Sequence, residues 1–241
     1  MQKRPMYRVM AAGVMVTVLG VLSPGRAQID PAQLAITNSN ILQTIQFNNF
    51  LTQKTVEEQA ASTLRPRGST TFRPNTDVRR RNLAQFVART RAADPRGAAE
   101  LERLFATTDL IGDIGKALAP YGLKTNDVAD AVAVYIVTAW YGVRGRDDDP
   151  SRAQLTAVRG QMANALASTP QFASATDAQK QELAEAMLIQ AALVSATVAG
   201  AEPQPARLEQ VKQAVAQGAE ATFGIDLRRL QLTDQGLQGS K

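Results

Sequence analysis

The stretch Thr125–Gly142, TNDVADAVAVYIVTAWYG, decides how the rest of the chain is read. Thr125, Asn126 and Asp127 are capping residues, and Val128, Ala131, Val132, Tyr135, Ile136, Ala139 and Trp140 recur at three- and four-residue spacing. That is the period of a helix, and the most apolar one in the chain. A bilayer span needs about 20 apolar residues, whereas this run is short, contains Asp130 and is flanked by charges. It reads as the core helix of a globular protein. On the same reasoning no segment beyond Ala27 is expected to reach spanning length.

Helical patterns continue on both sides. Upstream, Asn75 or Thr76 caps a helix with Val78, Leu83, Phe86 and Val87 inward, ending near Asp94-Pro95. Asp94 then caps a second helix with Pro95 at its first position and Leu101, Leu104 and Phe105 inward. A third, from about Leu110 to Tyr121, closes at Gly122. Downstream, Gly142 to Asp149 reads as a charged loop, and Asp149-Pro150 as a cap-then-proline start of a helix to about Ser168. Thr176 with Gln179 forms a capping-box signal for a long helix to Gly200. A last clear helix covers about Pro205 to Glu220, and the tail from Phe223 to Leu237 fits either a docked extended segment or a turn of helix. No repeat stands out, and no alternating β-rich run demands a sheet. The expectation is an all-α fold, a compact bundle of about seven helices, occupying residues 76–241 with a short C-terminal tail.

Before it, residues 28–75 read as a polar arm and linker, rich in Gln, Asn, Thr and Ser, ending in an Arg/Pro/Gly stretch at Arg65-Pro66-Arg67-Gly68. Residues 1–27 read as a signal peptide: a basic start at Lys3, Arg4 and Arg8, an apolar run from Val9 to Leu22, then Ser23-Pro24-Gly25-Arg26-Ala27. Cleavage near Gln28 would make the protein exported, periplasmic or secreted, without a transmembrane anchor after processing.

The whole chain carries a net charge of +5, but Lys3, Arg4, Arg8 and Arg26 lie in the signal and no acidic residue does, so processing leaves +1. A near-neutral protein has no global electrostatic reason to bind nucleic acid or anionic lipid. The chain has no His and no Cys. That excludes His- or Cys-ligated zinc and haem, His-based triads and cysteine hydrolases, and leaves carboxylate, Ser/Thr, Lys or Tyr chemistry. No cofactor is implied.

Three features are candidate contacts for a partner or anion. Ten arginines between Arg65 and Arg103, including Arg73, Arg79, Arg80 and Arg81, face four acidic residues, a local +6 against −5 in the rest of the processed chain. This is either an anion- or lipid-headgroup-binding face or a helix face whose charges pair with the acidic remainder; the absence of interleaved aromatics favours the latter. Asp127 and Asp130 fit capping of the apolar helix better than an acid/base or cation-binding pair. Trp140 fits the apolar stripe, while Tyr141 is expected at the surface. Asp147-Asp148-Asp149 lacks the spacing of a calcium loop and reads as a cap with solvated charges.

Tyr121-Gly122-Leu123, Asn126-Asp127-Val128-Ala129-Asp130-Ala131 and Ala139-Trp140 resemble a family of exported proteobacterial proteins known only as a domain of unknown function, the DUF6683 family. Phe72-Arg73-Pro74, Leu104-Phe105 with Asp109, and Leu230-Gln231-Leu232-Thr233 with Gly236-Leu237 extend the resemblance over about Phe72 to Leu237. Ile136-Val137 departs from it, since an aromatic is expected after Tyr135. The resemblance implies fold and export but no activity. The functional expectation is a non-catalytic interaction or accessory protein meeting an unknown protein or envelope component. Two alternatives are a carboxylate-based hydrolase of envelope glycans, using a pair among Glu100, Glu102, Asp109, Asp113, Asp127, Asp130, Glu182 and Glu185, and anion binding through Arg65–Arg103.

Overall fold

The computed structural model describes residues 69–239, so the expected signal peptide at residues 1–27 and the expected arm up to Gly68 lie outside the described residues. Among the described residues there are eight α-helices: α1 (Thr76–Ala93), α2 (Pro95–Thr107), α3 (Leu110–Leu118), α4 (Val128–Gly142), α5 (Arg152–Ala167), the short α6 (Pro170–Ala173), α7 (Asp177–Ala201) and α8 (Pro205–Phe223). Seven of them are at least seven residues long, and the fold is a mostly helical, compact arrangement. It closes on a hairpin of β1 (Leu230–Thr233) and β2 (Gly236–Gly239).

Two helices form the centre. In α4 every residue but Trp140 is buried, and α7 is buried without interruption from Leu183 to Ser195. They pack most extensively on each other, and α5, α1, α8 and α3 cover them. Small residues permit the approach: a Cβ on Gly142 would stand 3.0 Å from Val194 Cγ1 of α7 and 3.3 Å from Val215 Cγ1 of α8, so this crossing is fitted to a missing side chain. Burial of this apolar surface at about 25 cal/mol per Å² is what holds the shell helices on.

By length and composition α7 is apolar enough to cross a membrane, which corrects the expectation that no segment beyond Ala27 is so. Lys180, Glu182 and Glu185 at its N-terminal end disguise the uncharged run that follows. Here the helix is a core element, with 78% of that apolar window buried inside the protein.

The chain's punctuation explains the helix starts. Asn75, Asp94, Asp109 and Asp127 each accept hydrogen bonds from first-turn amides of α1 to α4. Thr176 and Gln179 make the reciprocal capping box of α7. Gly122 and Gly224 end a 3₁₀ turn and α8 in left-handed conformation, φ 77° and 67°. One start differs from expectation: α5 is capped by Ser151 with Gln154, not by Asp149, because that pair satisfies two free amides and leaves Pro150 outside the helix.

The tail is both things the sequence allowed and one it did not announce. Leu227–Arg229 is a 3₁₀ turn, and the two four-residue strands pair antiparallel with Leu232 opposite Leu237. Strands this short cannot display a persuasive alternation. Their outer edges are closed by side chains. Gln161 of α5 donates Nε2–H to Leu237 O and accepts from Leu237 N, both at 2.9 Å, taking the place of a third strand.

The arm's last residues belong to the packed body. Phe72 is buried, its N–H donates to Asn126 O at 3.1 Å, and Val128 N–H donates to Thr70 O at 2.9 Å. Lys180 Nζ donates to Ser69 O at 2.7 Å, and the Gln181 amide exchanges hydrogen bonds with Asn75 N and O. Ser69–Asn75 is thus clasped between the N-terminal ends of α4 and α7, and the packed body starts before the boundary drawn at Asn75.

Candidate functional site

The candidate residues fall at opposite ends of α4. At its start, Asp127 Oδ1 accepts from the Ala129 and Asp130 amides, as a cap should. Its other oxygen receives Arg159 Nη2 from α5 at 3.0 Å, and Arg159 Nε reaches Asp130 Oδ1 at 2.9 Å. Asp130 Oδ2 accepts the Lys124 amide at 2.8 Å. All four carboxylate oxygens therefore have donors. Burial and then the neighbouring Asp127 charge push the Asp130 carboxyl up, while Arg159 and the Lys124 amide pull it back. The geometry is that of a clamped pair joining α4 to α5, with no oxygen left over for a substrate proton.

Arg159 carried no signal in the sequence. It stands beside the apolar stripe residue Val158, and only the packing of α4 against α5 brings it to Asp127 and Asp130.

The arginine series is dispersed, and four of its eight described members, Arg79, Arg80, Arg89 and Arg91, are ion-paired. Arg79 Nε meets the buried Glu185 of α7 at 2.8 Å, where Asn82 and Gln181 also donate. Arg89 pairs with Glu182, Arg91 with Glu102 and Arg80 with Asp77. Arg81 is exposed on α1 and Arg73 on the clasped segment, and neither side chain has a carboxylate partner among the described residues. The series joins neither Asp127 and Asp130 nor Trp140 and Tyr141 in one site.

At the far end of α4, the expected exposures of the two aromatics are reversed. Tyr141 is buried, 8% exposed, and burial raises its hydroxyl pKa. Trp140 is half-buried, donates Nε1–H to Leu230 O at 2.9 Å and lies under Arg144, whose guanidinium carbon is 3.8 Å from the ring centroid. Arg144 also donates to Trp140 O, Leu227 O and Leu230 O. Trp140 and Arg144 together fasten the hairpin's first strand to α4, which is a structural use of both. Ile136 and Val137, where the resemblance expects an aromatic, are 1% and 0% exposed, so neither position serves a surface role here.

The acidic loop also differs from its expected solvated state. Asp148 pairs with Arg146 at 2.6 Å, but Asp147 is half-buried and accepts from Ser195 Oγ of α7 at 2.7 Å. Elsewhere on α7, Gln190 is 1% exposed and neither end of its amide has a partner among the described residues. Among the described residues no group of three or more acidic side chains is arranged to hold a metal ion.

These features define a mostly helical protein whose buried polar groups chiefly tie one element to another. The chain belongs to the family described as a family of unknown function (DUF6683), whose model matches residues 6–239. No curated protein and no solved structure matches it.

Proposed function

We propose that this chain is an exported, non-catalytic interaction or accessory protein of the bacterial envelope. The observation that carries the non-catalytic part is the engagement of its carboxylates. Of the eight weighed for acid/base work, Glu102, Asp113, Glu182 and Glu185 are ion-paired, Asp109 caps α3, and Asp127 and Asp130 share Arg159. Glu100 stands outside this pattern, its carboxyl raised first by burial. Glycan hydrolysis needs two carboxyls about 5–9 Å apart that exchange protons with substrate, and carboxylates held by several donors, as Asp127, Asp130 and Glu185 are, do that poorly. The export part rests on the three-part pattern of residues 1–27.

The test is to express the full-length chain in a Gram-negative host, recover the periplasmic and extracellular fractions, and sequence the N-terminus. The expected result is an exported form starting near Gln28 that releases no fragments from peptidoglycan and cleaves no chromogenic ester. Turnover that disappears in Glu100→Gln would overturn the non-catalytic reading, and a cytoplasmic product beginning at Met1 would overturn export.

A further inference from the structure

Asp147 is a half-buried carboxylate with no ion pair among the described residues. Among the described residues its hydrogen-bond donor is Ser195 Oγ of α7, at 2.7 Å. The charges around it are mostly of its own sign. Glu202 follows the end of α7, and Asp148 and Asp149 follow in the loop, with Arg146 already held by Asp148. From α8, Leu208 and the Lys212 stem lie against Gly145, but the Lys212 ammonium pairs with Glu209 at 2.6 Å. The Ser195 hydroxyl favours the carboxylate, but a carboxylate there is desolvated beside like charges, and these outweigh the one hydrogen bond.

We infer that Asp147 is a proton-operated latch, which holds the Gly142–Ser151 loop on α7 when protonated and loosens it when ionised. The same loop carries Arg144, whose guanidinium grips Leu227 O and Leu230 O, so slackening the loop slackens the anchorage of the C-terminal hairpin. The latch therefore couples the acidity of the surroundings to the C-terminal hairpin. Its operating range follows from the electrostatics: burial, then Glu202, Asp149 and Asp148, push the Asp147 carboxyl up to about 6, against the pull of Ser195. Because the folded state holds this proton more tightly than the unfolded chain does, the contribution to stability is complete below the usual carboxylate range. It is lost as pH rises through about 6.

The experiment uses the full chain, whose single tryptophan, Trp140, lies under Arg144 of this loop. Urea unfolding followed by its fluorescence between pH 5 and 7.5, together with hydrogen exchange at Arg144, Gly145 and Arg146 corrected for intrinsic rates, gives two readouts. The wild-type unfolding constant is expected to rise roughly tenfold across this window, with loop protection falling in parallel. Asp130 is also raised, at the opposite end of α4, so the difference from Asp147→Asn is decisive. That variant is expected to lose the tenfold step and keep its loop amides protected at both ends of the range. Glu202→Gln should move the step to lower pH and Ser195→Ala to higher pH, which keeps the test open if Asp147→Asn fails to fold. A step that survives unchanged in Asp147→Asn, that neither of the other variants moves, or that runs in the opposite direction would overturn the latch.

Discussion

At one end of α4, Asp127 and Asp130 enter the protein together with Arg159, and every carboxylate oxygen has a donor. At the other end, Asp147 enters with a hydroxyl and meets carboxylates instead of a guanidinium. Both placements desolvate an acid, yet the consequences are opposite. A carboxylate clamped by a cation fixes α4 against α5 and resists change, because losing either partner strands a charge. A carboxyl held by a hydroxyl has a low-cost alternative state one proton away. The contrast locates rigidity at the clasped N-terminal end and adjustability at the hairpin end.

The largest expected break in this comparison comes from Arg159→Met. Two largely buried carboxylates would lose their shared cation, and unfolding free energy should fall by about 3 kcal/mol in urea titrations at pH 7. The loss depends on pH. Asp130 is already raised, and removing Arg159 raises it further, so protonation rescues the variant and the deficit should shrink as pH falls toward 5. A loss below about 1 kcal/mol, or a deficit that grows on acidification, would mean the clamp is not what holds this end.

Two positions five residues apart on α7 sharpen the same point. Glu185 receives Arg79, Asn82 and Gln181, whereas Gln190 is equally buried and receives no partner among the described residues. Glu185→Ala should destabilise by about 2 kcal/mol, since three donors lose their acceptor. Gln190→Met should instead stabilise by about 1 kcal/mol, since an unpaired amide leaves the core and the volume is nearly kept. Thermal unfolding of the two variants reads the opposite signs directly. At the hairpin end, Trp140→Phe removes the Nε1–H bond to Leu230 O and weakens the Arg144 stack, for a loss of about 1 kcal/mol. Exchange protection should drop in β1 and β2 while that of α4 stays unchanged.

The helices were legible because capping residues and apolar spacing are local. Asn75, Asp94, Asp127 and the Thr176–Gln179 box set the starts of α1, α2, α4 and α7 as the sequence indicated. What was not legible depends on which helix lies beside which. Arg159 is an ordinary residue of α5 until α4 is packed against it, and Asp147 reads as a solvated loop acid until Ser195 is brought over it. Tyr141 was expected outside because it leaves the stripe of α4, but a central helix surrounded on all sides buries every face. The hairpin escaped notice because four residues per strand are too few to show a period, and its stabilising partners Gln161 and Trp140 lie far off in sequence.

The smallest effect is expected where the sequence showed its strongest electrostatic signal. Arg80 and Arg81 lie side by side on the outer face of α1, both exposed, and the contact of Arg80 with Asp77 links side chains that are 76% and 70% exposed. Such a pair contributes little, so Arg80→Ala combined with Arg81→Ala should change stability by less than about 0.5 kcal/mol. The same double variant weighs the anion-binding alternative against the proposed role. If the arginines chiefly balance the acidic residues of the chain, as Arg79 with Glu185 and Arg89 with Glu182 do, retention on vesicles containing phosphatidylglycerol should be weak at 150 mM salt and unaltered by the substitutions. Salt-sensitive retention that the double variant abolishes would turn this outer face of α1 from a solvated surface into a headgroup-binding one. It would also place a third kind of charge handling beside the clamped and the latched carboxylates: cations kept free for a partner.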